Sequence, residues 1–284
     1  MLNIGTAEAF KVERGTEKPY VLMFSVLGSI EIRGVGQILR PRRPMRQTLL
    51  AAFLAAENKL VSVDTLAEEL WGTTPPAKME NALQAQISRL RRALHRLEPD
   101  NSAERLTTSV AGYRFAVHWS EIDACSFLHT IDAIRARDGT DLARDIADLR
   151  SALAMWNGPV FGGLAGGPLC QVAALKYDEA RNTALEMLFD LELKNGSHAK
   201  IIPELTELVN QNPLSEQFCS LLMVALYRAG RQADALELYR QLRLRFSEEL
   251  GIEPSPVLRQ YEMAILNHDP LLTRFDPEPA GRAA

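Results

Sequence analysis

The side chains in this 284-residue chain best placed to do chemistry are cations gathered on one stretch. Residues 76–97 hold five basic residues, Lys78, Arg89, Arg91, Arg92 and Arg96, against one acid, Glu80. On a helical wheel of about 100° per residue, Leu83, Ile87, Leu90 and Leu94 form one apolar stripe. Ser88, Arg92, Ala85, Arg96, Lys78 and Arg89 fall on the opposite side. An α-helix fits the DNA major groove, and a guanidinium offers a planar fork that matches guanine O6 and N7. Flanking cations can neutralise phosphate, and small side chains such as Ala85 and Ser88 permit close approach to base edges. Taken alone, the same face also suits a solvated surface or a partner helix. Its neighbours decide the matter.

Upstream, Phe24–Ile32 is β-rich with Gly28 as a bend, and Gly34 and Gly36 mark a turn before a short strand at 37–39. The tract Leu39–Arg46, with Arg42, Arg43 and Arg46, leads into an apolar helix over about 45–56. Ser62 is placed to cap a second helix, with Val61 and Leu66 at the staple positions, and that helix ends at Trp71-Gly72. Pro76 marks the start of the third, basic helix. Pro99–Ser102 breaks it, and Arg105–Val117 reads as two strands hinged near Ala111-Gly112. Small strands, three helices and a closing hairpin make up a winged helix-turn-helix.

After Trp119 the pattern is helical throughout. Gly196 and Gly230 lie 34 residues apart, with Ile201, Leu205 and Leu208 after the first and Ala235, Tyr239 and Leu242 at the same offsets after the second. That spacing is tetratricopeptide-like. The expected fold class is therefore mainly α with a small β component, a winged helix-turn-helix followed by an all-α tetratricopeptide-like domain. The expected division is a flexible arm at 1–20, a DNA-binding domain at 21–119, a helical domain at 120–268 and a flexible tail at 269–284.

The net charge of −4 conceals a split. Residues 21–119 carry 13 basic and 9 acidic side chains, whereas residues 120–284 carry 16 basic and 24 acidic ones. Such asymmetry points to a nucleic-acid-facing module joined to something else. Three distant cysteines, Cys125, Cys170 and Cys219, match neither a disulfide framework nor a metal site. The Gly-rich segment Asn157–Pro168 lacks the Gly-Lys-Ser/Thr ending of a phosphate loop and reads as a connector. No catalytic residues, metal or cofactor are expected, and the absence of an apolar run of about 20 residues or a secretory leader points to a cytoplasmic, nucleoid-associated protein without a membrane segment.

The run Asn81–Leu94, with Val61–Gly72 before it and Ala111–Phe115 after it, resembles the OmpR-type winged helix. The segments Ala152–Pro159, Leu226–Leu236 and Glu248–Pro254 are similar to the bacterial transcriptional activator domain. Together they resemble the Streptomyces antibiotic regulatory proteins in their short stand-alone form. The resemblance implies base contact by Arg89, with Gln86 and Ala85 as neighbours, and backbone contact by Ser88, Arg91 and Arg92. Trp71 matches a position whose indole N–H can reach phosphate, although plugging the core at a helix end is its equal alternative. Lys78, Arg42, Arg43 and Arg46 lie where backbone contact is available to them, the three arginines otherwise forming a solvated basic loop. Thr107, Ser109 and Tyr113 fall on the wing. The resemblance further implies an activator of secondary-metabolite genes, a homodimer on direct repeats of promoter DNA, and contact with RNA polymerase and its sigma factor. A tetratricopeptide-type adaptor that binds protein alone is the competing expectation.

Overall fold

The computed structural model describes residues 22–34, 36–98 and 105–272. The expected arm at 1–20 and the tail beyond residue 272 lie outside them. A three-stranded antiparallel sheet opens the described chain, with β1 (Met23–Ser25), β2 (Glu31–Gly34) and β3 (Gln37–Leu39) in sequence order. Helix α1 (Pro44–Ala55) follows, and its buried residues run without interruption from Thr48 to Leu54. A helix apolar on every side must lie inside the protein. Here α1 packs against α2 (Val63–Trp71) and α3 (Met79–Leu97) on one side and against α6 (Pro168–Lys194) on the other.

Ser62 caps α2 as expected, its Oγ accepting from the Thr65 N–H at 3.0 Å. Helix α3 begins at Met79 rather than at Pro76. No side chain from Pro75 to Lys78 carries a capping oxygen, and the hydroxyl of Thr74 turns back to the Trp71 carbonyl at 3.4 Å. Strands β4 (Leu60–Val61), β5 (Leu106–Ser109) and β6 (Gly112–Phe115) form a second antiparallel sheet in the order β4-β6-β5. Gly112 is required there, since a Cβ at that position would lie 2.1 Å from the Val61 carbonyl oxygen.

A 3-10 turn at Trp119–Glu121 leads into α4 (Asp123–Arg135), α5 (Leu142–Leu153) and α6, then α7 (His198–Gln211), α8 (Glu216–Arg228), α9 (Gln232–Arg245) and α10 (Pro256–Leu266). The 34-residue spacing is visible in the backbone. Gly196 and Gly230 adopt φ of 78° and 75°. Each is followed by a residue whose N–H bonds back to a carbonyl five positions earlier, Ser197 to Glu192 and Arg231 to Leu226. This is the Schellman closure, which needs a left-handed residue that glycine adopts without steric cost. Ile201, Leu205, Ala235, Tyr239 and Leu242 all turn inward. Within the segment expected as tail, Pro270–Leu272 makes a further turn, and the Leu272 carbonyl accepts from Arg228 Nε at 2.8 Å.

The apolar core does not divide where the secondary structure changes at residue 120. One core gathers the winged helix together with α4, α5 and α6 as far as Leu188, beginning at Leu22. The second runs from Leu185 to Leu272. Helix α6, about 40 Å long, belongs to both. Its N-terminus is held by Glu69 of α2, buried at 4 % exposure, whose carboxylate accepts from the N–H groups of Gly167 (2.9 Å), Leu169 and Cys170. These are donors that a helix start leaves unmatched, and the positive end of the helix favours the negative charge. A Cβ on Gly167 would meet Glu69 Cα at 2.7 Å, so the Gly-rich connector is shaped for this approach.

A second buried junction ties α3, the hairpin and the linker together. Arg105 bonds Glu98 at 2.7 Å and 3.1 Å and Glu121 at 2.7 Å through two nitrogens, and Glu121 also accepts from the His118 N–H. Burial pulls the guanidinium down, but the hydrogen bonds it donates to the two carboxylates hold it far above its usual range. At a third contact, Asp123 accepts from the N–H groups of Val26 (2.8 Å), Leu27 and Ala124. Burial pushes its carboxyl up to about 6 against the pull of those donors.

Two outcomes follow. Arg105→Ala strands two buried carboxylates and should lower stability by roughly 3–5 kcal/mol, measured by urea unfolding. Asp123 holds its proton to a higher pH in the folded than in the unfolded chain, so its contribution is present below about 4 and is lost as pH rises through about 6. Wild type minus Asp123→Asn unfolding midpoints, taken from pH 4 to pH 7, should therefore fall across that window; a flat difference would contradict the raised carboxyl.

Candidate nucleic-acid interface

Helix α3 turns its apolar stripe inward as its periodicity demands: Leu83, Ile87, Leu90, Leu94 and Leu97 are buried. Asn81, Gln84, Ser88, Arg92, His95 and Arg96 are exposed along the opposite line, and Ala85, Gln86, Arg89 and Arg91 are half-buried beside it. No carboxylate pairs with Arg89, Arg92 or Arg96 among the described residues, although the η nitrogens of Arg33, Arg137 and Arg150 all find acids elsewhere. The Nε atoms of Arg92 and Arg96 lie along the helix, 3.4 Å and 3.3 Å from the carbonyls of Ser88 and Arg92. Their outer nitrogens point away from the core. Lys78 is exposed at the helix start.

Two expected contacts are placed differently, and Tyr113, on the wing strand as expected, faces inward. Arg91 does not project from the protein: its Nε donates to the Leu106 carbonyl at 2.9 Å and one Nη to Thr108 Oγ1 at 2.7 Å. It fastens α3 to β5, the first strand of the hairpin. Gln86 turns its amide towards Met45 Sδ of α1 at 3.2 Å, and reaching a base edge requires it to leave that weak acceptor. Tyr113 is 6 % exposed and belongs to the core. Strand alternation sends it inward, leaving its neighbour Arg114, opposite Thr107 in the register, outside.

On the hairpin, Thr107, Ser109 and Arg114 are exposed, and Val110 at the tip is wholly so. Arg114 supplies a cation on the wing that the sequence reading overlooked, and the period-2 pattern around Tyr113 and Phe115 was the signal for it. Gln84 and Asn81 were likewise overlooked, although the wheel puts them on the same line as Ser88. Trp71 is half-buried and packs on the first core, which favours its plugging role over a free indole.

The basic loop before α1 comes close to α3. Arg42 and Arg43 are exposed, Arg46 is half-buried, and all three share a groove of about 880 Å³ with Arg89, Arg92 and Arg96. The Nε of Arg46 is buried, with no hydrogen-bond partner among the described residues. Arg40, at the same rim, is instead paired with Glu31 at 2.5 Å. The result is a continuous cationic surface from the head of α1 across α3 to the wing, with few acids to neutralise it. The rest of the molecule offers little reactive chemistry. Cys125, Cys170 and Cys219 are buried, and burial pushes each thiol upward, Cys125 to about 11. Among the described residues no three His, Cys, Asp or Glu side chains converge to hold a metal, and no helix is long and apolar enough to cross a membrane.

Comparison with known proteins agrees with this geometry. Residues 42–115 match the family described as transcriptional regulatory protein, C terminal, and residues 122–266 match the bacterial transcriptional activator domain. The chain is 39% identical over 227 residues to the transcriptional regulator RedD of Streptomyces coelicolor, covering 80% of this chain and 65% of RedD. It thus spans slightly less than two thirds of that relative. It is 32% identical over 270 residues to the regulatory protein DnrI of Streptomyces peucetius, covering 93% of this chain and 98% of DnrI. The solved structure of Mycobacterium tuberculosis EmbR in complex with a low-affinity phosphopeptide superimposes with a TM-score of 0.83 at 27% identity, covering 88% of this chain and 66% of that one.

If Arg91 is a fastener, Arg91→Ala should raise amide hydrogen exchange in Leu106–Ser109 and Gly112–Phe115 while leaving the caps of α7–α9 unchanged. Exchange in the hairpin equal to wild type would return Arg91 to the exposed set.

Proposed function

The chain belongs to the Streptomyces antibiotic regulatory protein family, and from that membership we propose that it is a sequence-specific DNA-binding transcriptional activator of secondary-metabolite genes, with no catalytic activity. The observation that carries this reading is the unpaired cationic face of α3, held at fixed height by a hairpin on one side and an arginine-lined loop on the other. In this reading α3 enters the major groove. Arg89 contacts a guanine edge, Ala85 leaves room for the approach, and Gln86 swings from Met45 to a neighbouring base. Ser88, Arg92, Lys78, Arg42, Arg43 and Arg46 hold phosphates, and Trp71 stays with the core. Thr107 and Ser109, joined by Arg114, face the adjacent backbone. Arg91 acts through the hairpin.

The helical array is the protein-facing part. Its acidity keeps it off phosphate, and the exposed apolar side chains of Val257, Met263 and Leu266 on α10 offer contact area. Promoter direct repeats about one helical turn apart would set two copies side by side as a homodimer on one DNA face. RNA polymerase with its sigma factor is the partner we assign to the array. The working place of such a protein is the cytoplasm, on the nucleoid. The competing adaptor reading predicts no preference among duplexes.

Footprinting on the regions upstream of neighbouring genes tests the reading. A protected direct repeat is expected, with affinity that falls steeply as salt rises because bound phosphates release counterions. Arg89→Ala should cost about 1–3 kcal/mol and relax preference at one base position. Binding no better than to random duplex at moderate salt would overturn the activator assignment.

A further inference from the structure

The groove between the head of α1 and the C-terminal half of α3 has a composition that a duplex backbone does not call for. Its floor is apolar, formed by Ile32, Leu39, Leu90 and Ala93. Arg42, Arg43 and Arg46 rise on one wall and Arg89, Arg92 and Arg96 on the other. Its volume of about 880 Å³ is that of a small-molecule site. One donor of the lining residue Arg46, its Nε, is buried and has no acceptor among the described residues, and buried polar groups are as a rule paired. A B-form duplex presents phosphates and sugars to such a surface while keeping its base faces stacked inside. It can satisfy the arginine walls, yet it has no flat apolar group for the floor. A nucleoside polyphosphate carries both parts, a planar base and several charges within one short chain. Guanidiniums also suit each part, forking onto phosphate and stacking on a ring.

We propose that this groove binds a nucleoside polyphosphate, with its phosphates on Arg42, Arg43 and Arg46 and its base over Leu39 and Leu90, and that the bound nucleotide competes with duplex for Arg89 and Arg92. The competition rests on the DNA-binding role proposed above; the nucleotide site does not. It is also separate from the Gly-rich connector at 157–168, whose glycines serve the packing of the Gly28 loop and Glu69.

Calorimetric titration of the full chain without DNA, at physiological ionic strength, compares ATP, GTP, tripolyphosphate and adenosine. At least one of the two nucleotides should bind saturably at one per chain, at least about 10-fold tighter than tripolyphosphate, equivalent to about 1.4 kcal/mol, and adenosine should not bind. Arg46→Met and Ala93→Glu should each weaken nucleotide binding about 10-fold or more, with circular dichroism and urea midpoints reporting whether each variant is folded. Two variants are used so that one misfolded protein does not end the test. Equal affinity for nucleotide and tripolyphosphate would overturn the proposal, since the groove would then be counting charge as part of the duplex interface. So would nucleotide binding that fails to saturate at millimolar concentration or is unchanged in the folded variants. Added nucleotide should release promoter duplex; a nucleotide that saturates without releasing duplex refutes the competition. If no duplex binds preferentially while nucleotide saturates, the activator reading fails and the nucleotide site stands.

Discussion

The arrangement depends on a single carboxylate. Glu69 leaves α2, the helix that supports α3, and closes the N-terminus of α6, the helix that both cores share. A buried acid without partners is expensive, and here three backbone N–H groups and the positive end of a 27-residue helix compensate it. Glycine at 167 is what lets the two backbones come that near. Lys176 and Tyr177 reach Glu57 beyond the end of α1, at 2.8 Å and 3.3 Å, one helical surface farther along. The helical array is thus built onto the winged helix as a continuation of its core.

Most local structure was legible in the sequence because it follows from periodicity and short-range chemistry. The inward stripe of α3, the Ser62 cap, the two glycine closures 34 residues apart and the strands around Gly36 and Gly112 all report on neighbours within a few residues. What escaped was governed by distance along the chain. Glu69 and Gly167 lie 98 residues apart, and nothing in either local pattern marks them as a pair. A basic residue on a helix flank looks the same whether it projects, like Arg92, or folds back onto a strand, like Arg91. The inward Tyr113 and the outward Arg114 follow from strand alternation, which is itself a local signal.

Charge follows the same division of labour. Among the described residues Arg89, Arg92 and Arg96 pair with no carboxylate, whereas Arg105 is engaged by Glu98 and Glu121 and Arg137 by Asp145 and Asp148. The net charge of −4 averages over the two kinds. A guanidinium buried between two carboxylates contributes geometry and no field at the surface. The same group at the surface, unpaired with any acid of the described residues, contributes a strong one.

Because α6 belongs to both cores, one continuous helix carries the helical array on the winged helix. Rotating α3 about a duplex axis would rotate the array through the same angle, as a weathervane turns with its spindle. At about 10.5 base pairs per turn, moving a binding site by a single base pair would swing the array by about 34° around the duplex. In the proposed binding mode, the side of the DNA on which the array stands would then be set by base spacing rather than chosen by the protein.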